Sequence, residues 1–183
     1  MIFIKKILLH VYFCLRLIVI WALKLSARSH RQKTVPPERI LVIRTDRLGD
    51  FVLSVPVFEN LKTAFPSAQI TVMVRPALRE FAASIASVDR VMEYGHFMRA
   101  WGMVRAANFD MALDLTVDWR LKTAALAFLS GAALRGGFCG GFREALLTHA
   151  VDPLAHPALH MVELHQRLLQ KMAISKQEIL DIL

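Results

Sequence analysis

Two cysteines in 183 residues, Cys14 and Cys139, provide neither a disulfide framework nor metal-ligand spacing. They fit a reducing compartment and read as packing residues. Glycine is also scarce, eight in all. None of it forms G-x-G-x-x-G and no Gly-Lys-Ser/Thr occurs, so neither the dinucleotide nor the P-loop fingerprint applies. Acidic residues number 15 against 23 Lys and Arg, but the resulting net charge of +8 is unevenly distributed. Residues 1–39 hold eight cations and one acid, +7, which leaves 15 and 14, or +1, for residues 40–183. A nucleic-acid-binding domain would be basic where it folds. Here the basicity sits in an N-terminal extension, which suits an anionic membrane surface better. Internal repeats and low-complexity tracts are missing too. At 55% hydrophobic, the chain can build the core of one α/β domain, and two would be cramped.

Residues 1–25 are rich in Ile, Leu, Val and aromatics, interrupted by Lys5, Lys6, His10, Arg16 and Lys24. On a helical wheel these cations share an arc of roughly 140° with Arg28 and Arg31. Tyr12 and Trp21 fall near its margins, as interfacial anchors would. The segment reads as a membrane-associating helix lying in the interface. Two alternatives stay open. A span between Lys6 and Lys24 would be only 17 residues long, with Arg16 at its middle costing on the order of 3 kcal/mol. A cleaved signal peptide would have its apolar region broken by the same Arg16. Under either anchored reading the basic run Lys24, Arg28, Arg31 and Lys33 places the rest of the chain in the cytoplasm, at the inner face of the membrane. Residues 26–38 form a basic, proline-closed linker.

The folded part is organised around Arg39 to Pro66. Ile40-Leu41-Val42-Ile43 reads as a strand buried on both faces. The polar turn Thr45–Asp50 comes next, and then apolar residues at helical spacing from Val52 to Ala64. Strands are expected again at 70–74, 90–94, 110–115 and 133–138. Helices are expected at 76–86, 97–107, 118–129 and 161–171, with Asp118 and His160 as caps. This alternation predicts an α/β, Rossmann-like, mostly parallel sheet with helices on both faces. Residues 39–174 make up that domain, and residues 175–183 begin an interdomain connection.

Ligands of such sheets bind at the carboxyl ends of the strands. Gly49 lets the backbone approach a ligand there, and Asp50 brings a carboxylate that can accept a proton from an attacking hydroxyl. The competing reading makes Asp50 a helix cap, and Asp46 a cap or turn former. Arg44, Arg47, Arg75, Arg79, Arg120 and Lys122 come after strands and should emerge on the same edge. A rim of fixed positive charge suits a phosphorylated or carboxylated ligand. His149, His156, His160 and His165 raise the question of metal, but Pro157 breaks the i,i+4 geometry and no metal is expected. Met98, Trp101 and Met103 read as core or lid.

The run ILVIRTDRLGDFVLSVPVFENLKTAFP resembles the opening of glycosyltransferase family 9, the ADP-heptose:lipopolysaccharide heptosyltransferases. Phe109–Leu115 and His160–Glu163 are similar to that family in order and spacing. The resemblance, from Arg39 to Ile174, implies the N-terminal, acceptor-binding half of a two-domain GT-B fold. It implies an inverting, metal-independent transfer of heptose or another sugar from an ADP-sugar to a glycolipid acceptor of the lipopolysaccharide core, with no cofactor. By position, Asp50 matches the catalytic base, Arg44 a basic residue facing the acceptor, and Lys122 a basic position after the fourth strand. The donor-binding half would come from a separate domain or subunit. Two other classes remain open: a non-catalytic module binding glycolipid or a partner, and a nucleotide-binding Rossmann module of another enzyme.

Overall fold

The computed structural model describes residues 36–118, 120–172 and 174, together with positions 18 and 21. The expected membrane-associating helix and the segment 175–183 lie outside the described residues. Among the described residues no helix is long and apolar enough to cross a membrane.

Six strands form one sheet in which every neighbouring pair is parallel: β1 Arg39–Ile43, β2 Gln69–Val74, β3 Arg90–Glu93, β4 Met111–Asp114, β5 Leu134–Phe138 and β6 His149–Val151. Their order is β3-β2-β1-β4-β5-β6. The chain steps outward from β1 to β3, returns beside β1 as β4, and then steps the other way. The reversal opens a crevice between the carboxyl ends of β1 and β4, where doubly wound sheets take their ligands.

Helices α1 (Leu48–Val52), α2 (Val55–Ala64), α3 (Arg79–Ala83) and α6 (Met161–Lys171) cover one face; α4 (Phe97–Ala106) and α5 (Leu121–Leu129) cover the other. The alternation of strand side chains shows why both faces must be covered. Ile40, Val42, Ile70 and Val72 pack with Phe58, Leu61 and Leu168, while Leu41, Ile43 and Met73 pack with Ala100, Val104 and Leu126. In β1 everything after Arg39 is buried. A continuous apolar run is therefore required here, where a one-sided sheet would need alternation.

The expected strands all form, and β6 is an addition. It is a three-residue strand that pairs Val151 with Phe138. At three residues it is too short to stand out in the sequence. The helix expected without interruption from Val52 to Ala64 is two helices. Pro56 has no N–H to offer the carbonyl of Val52, and its ring crowds that carbonyl. So α1 stops at Val52, and α2 restarts behind Ser54 with proline in its first turn. The helix expected at 76–86 is a 3-10 turn at Pro76–Leu78 continued by α3, which ends at Ala83. Asp118 is not the N-cap of α5. Arg120 holds that position, and the Asp118 carboxylate accepts its N–H at 3.0 Å from just outside the helix. His160 does cap α6, in a reciprocal pair with Glu163.

Strand β5 owes its place to two glycines. A Cβ on Gly137 would lie 3.0 Å from the Asp114 carbonyl oxygen and 2.9 Å from Leu147 Cδ1. The backbone of β4 cannot retreat from its hydrogen-bonded register. Gly137→Ala should therefore destabilise the fold by about 1–3 kcal/mol, the usual range for overpacking. Urea unfolding measures this, and a loss below about 0.5 kcal/mol would show that β5 is free to shift.

Candidate active site

At the end of β1 the chain turns with Arg44 pointing inward. Its side chain is 1% exposed. The guanidinium donates from Nε and Nη2 to the Asp50 carbonyl oxygen at 3.1 and 2.8 Å, and from Nη1 to the Leu115 carbonyl oxygen just past β4. It thereby ties the Thr45–Asp50 turn to the neighbouring strand. Ser54 Oγ donates to the same Asp50 carbonyl at 3.1 Å. Two carboxylates face Arg44 more loosely, Asp46 at 3.3 Å and Asp50 at 3.9 Å. Burial pulls the Arg44 pKa below the ordinary arginine value, against the opposing pull of Asp46, Asp50 and Asp114.

The two carboxylates differ in their surroundings. Asp46 is 27% exposed and Asp50 is 45% exposed. Burial pushes the Asp46 carboxyl above its usual range; Arg44 opposes this, and the negative charge of Asp50 adds to it. Asp50 is not a helix cap. Arg47 occupies the N-cap of α1 without a side-chain bond, and Asp50 lies inside the first turn. Its carboxylate thus remains available at the crevice, where the backbone holds it by its own carbonyl. A carboxylate of raised pKa beside a second one is a recurring acid–base arrangement. Asp46, read from sequence as a turn or cap residue, therefore joins Asp50 as a candidate base.

A second buried arginine completes the crevice wall. Arg143 is fully buried and donates from Nη2 to Asp114 Oδ2 at 2.5 Å and to Thr116 Oγ1 at 2.9 Å. Its Nη1 donates to the Asp118 carbonyl oxygen at 2.5 Å and reaches the Asp118 carboxylate at 3.3 Å. Thr116 Oγ1 donates to Asp114 Oδ1 at 2.6 Å and lies 2.9 Å from Thr123 Oγ1 on α5. A backbone of unusual shape brings Arg143 here: Gly140, Gly141 and Phe142 take φ of 143°, 55° and 69° in succession. The glycines make that turn without strain, and Phe142 does not.

His165 of α6 closes the far side. It is 1% exposed, its ring lies 5.8 Å from that of Phe138, and its Nδ1 is 3.2 Å from the Leu53 carbonyl oxygen at the end of α1. The carbonyl can only accept, so the proton sits on Nδ1. Burial, with the nearby charge of Arg44, lowers the His165 pKa to about 4.

The remaining expected residues are not gathered into one cluster. Arg47, Gly49, Arg75, Arg79, Arg120 and Lys122 are all exposed, on the loops and helix starts that come after β1, β2 and β4. Arg79 is paired with Glu93 at 2.6 Å and Arg120 reaches Asp118 at 3.8 Å. Arg44 is the exception to the expected rim: enclosed by carbonyls, it positions the turn and has no face open to an acceptor. Sequence reading missed Arg143, Thr116 and Thr123. The available signal was Asp114, a carboxylate closing an apolar strand, which must find a cation. It also took His165 only as a metal question, whereas His156 lies 3.4 Å from Arg167, His160 caps α6 and His165 is buried among aromatic and aliphatic side chains.

No model of a known protein family matches the chain. Lipooligosaccharide heptosyltransferase 2 of Haemophilus ducreyi is 28% identical over 115 residues, which is 60% of this chain and 33% of that protein. A glycosyl transferase family 9 structure from Veillonella parvula superimposes with a TM-score of 0.64 at 19% identity, over 76% of this chain and 42% of the other. The structure of the E. coli ADP-heptose LPS heptosyltransferase II gives 0.63 at 23% identity, over 77% and 44%. The resemblance to glycosyltransferase family 9 read from Arg39–Pro66 is thereby borne out, in sequence by the first protein and in fold by the other two. The chain spans less than half the length of each of the three.

The buried groups give two expected outcomes. Arg143→Leu leaves Asp114 charged and enclosed, so stability should fall by about 3–5 kcal/mol in urea unfolding at pH 7. Asp114→Asn combined with Arg143→Leu should recover much of that loss; a double variant no better than Arg143→Leu would mean the pair is not the cause. For His165 the folded pKa of about 4 lies below the ordinary 6.5. Between those values the unfolded chain binds more protons, so stability is complete above pH 6.5 and is lost as pH falls to 4. The loss is about 3 kcal/mol. His165→Gln, which does not titrate, should lose less stability than the wild-type protein over that interval, and an equal loss in both would refute the assignment.

Proposed function

We propose that this chain supplies the acceptor-binding half of a family 9 glycosyltransferase of lipopolysaccharide core biosynthesis. The observation that carries the reading is the placement of Asp50 and Asp46 at the carboxyl end of β1, beside the β1–β4 crevice, both facing Arg44. The likeness of fold and sequence to heptosyltransferases supports it. Asp50 takes the proton from the acceptor hydroxyl as that oxygen attacks the anomeric carbon of the sugar. The bond to the nucleotide diphosphate breaks on the opposite side, and the configuration inverts. The donor is ADP-heptose or a similar nucleotide-sugar, held by a second α/β half, and the step uses neither metal nor cofactor.

The exposed cations Arg47, Arg75, Arg79, Arg120 and Lys122 receive the phosphates and acidic sugars of the glycolipid, with Gly49 leaving room for its close approach. Arg44 keeps the turn in place. The basic N-terminal extension, residues 1–38, holds the domain at the cytoplasmic face of the inner membrane through its cations.

The test is a pair of substitutions in an enzyme completed by its donor-binding half. Asp50→Asn should leave the melting temperature within a few degrees and lower the transfer rate by about 10²–10⁴, the usual share of general base catalysis. Asp46→Asn should cost less. If Asp46→Asn abolishes transfer while Asp50→Asn stays near wild type, the base is Asp46. If both retain full rates, the chain is no transferase of this kind.

A further inference from the structure

The break between α1 and α2 leaves the Leu53 carbonyl without a helical partner. In an unbroken helix the N–H of Val57 would take it, but that N–H goes to the Ser54 carbonyl oxygen at 3.0 Å. His165 takes it instead, from α6, with Nδ1 3.2 Å away and 112 residues distant in the chain. The other side-chain ties on α1 are local: Arg44 and Ser54 hold the Asp50 carbonyl oxygen. His165 thus anchors the end of the helix that the Thr45–Asp50 turn does not reach. Leu53 stands three residues after Asp50, so the bond fixes the same turn of backbone that carries the carboxylate.

Packing alone does not account for a histidine here. The side chain is 1% exposed and lies beside Phe138, and Nε2 has no hydrogen-bond partner among the described residues. A buried polar atom left unpaired costs stability, and an apolar side chain among Phe138, Leu164 and Leu168 would avoid that cost. Charge does not account for it either, since a pKa of about 4 leaves the ring neutral at pH 7. Enclosed as it is, the ring cannot touch an acceptor. What the imidazole contributes is one N–H aimed at one carbonyl.

We propose that His165 is a positioning residue for the transfer, holding α1 so that Asp50 stands where the acceptor hydroxyl arrives. The inference rests on the reading of Asp50 as the base. A helix of five residues without a side-chain cap has many positions open to it. A displacement of about 1 Å can slow a reaction about 100-fold. The tie from α6 removes those positions before the acceptor binds.

Two substitutions separate positioning from packing. His165→Asn keeps an N–H donor near the place of Nδ1 but leaves a cavity, so it should be the less stable variant. His165→Leu fills the site and has no donor. In an enzyme completed by its donor-binding half, His165→Leu should lower kcat by about 10- to 100-fold. KM for the acceptor should stay within about twofold. His165→Asn should keep most of the wild-type kcat while melting at a lower temperature than His165→Leu. Rate and stability then run in opposite orders; if they run in the same order, the histidine is structural only and the proposal is overturned. In the full chain alone, hydrogen exchange at the Phe51, Leu53 and Ser54 amides should quicken about tenfold in His165→Leu, with β1 and β4 unchanged. Unchanged exchange there also overturns it. Asp50→Asn, measured alongside, tells two failures apart. If Asp50→Asn abolishes transfer while His165→Leu keeps the full rate, the positioning role falls and the base stands. If Asp50→Asn itself keeps the full rate, the base reading falls and the positioning role falls with it.

Discussion

Asp114 ends a strand that is buried on every side, and a carboxylate there must be neutralised or the fold loses several kcal/mol. Most of the crevice wall can be understood as the solution to that constraint. Arg143 supplies the charge, Thr116 a hydroxyl and its own N–H, and Thr123 links the hydroxyl to α5. To bring Arg143 in, the chain after β5 must pass through three residues of positive φ. Once in, Arg143 also holds the Asp118 carbonyl, fixing the segment that leads to the exposed Arg120 and Lys122. One buried charge thus shapes two loops at the edge where a ligand would bind.

The opposite wall uses the same physics with carbonyls in place of a carboxylate. Helix α1 has five residues and no side-chain cap, so alone it would be unstable. It persists because other elements bond its carbonyl oxygens. Arg44 and Ser54 hold Asp50, and His165, 112 residues away, reaches Leu53. The Asp50 side chain is left out of all these bonds, which use its backbone oxygen. A rigid backbone with a carboxylate outside its short bonds suits the base of the proposed transfer, because its geometry is settled in advance.

The sheet was legible because its signals are local. Ile40–Ile43 has to be apolar on both faces, and the glycine turn with Asp50 comes directly after it in the chain. What could not be read depends on contacts distant in sequence. The inward turn of Arg44 depends on Leu115, and the burial of Arg143 on Asp114. His165 depends on Leu53. In each case the residue type fits a surface role equally well, and only the third dimension removes the alternative. The break in the first helix is a different matter. Pro56 was visible, and its conflict with the Val52 carbonyl was a local signal that the apolar spacing masked.

The two carboxylates at Arg44 make the electrostatics of the crevice a property of the pair. Asp46 is raised by burial, and part of the remainder comes from Asp50, so a change of charge on one is felt by the other. Arg44 cannot neutralise both. Three of its five N–H donors go to carbonyls, and its distances to the carboxylates, 3.3 and 3.9 Å, are long for charge-assisted bonds. In the proposed transfer the arginine would stay fixed throughout as a structural tie, leaving both carboxylates outside its short bonds.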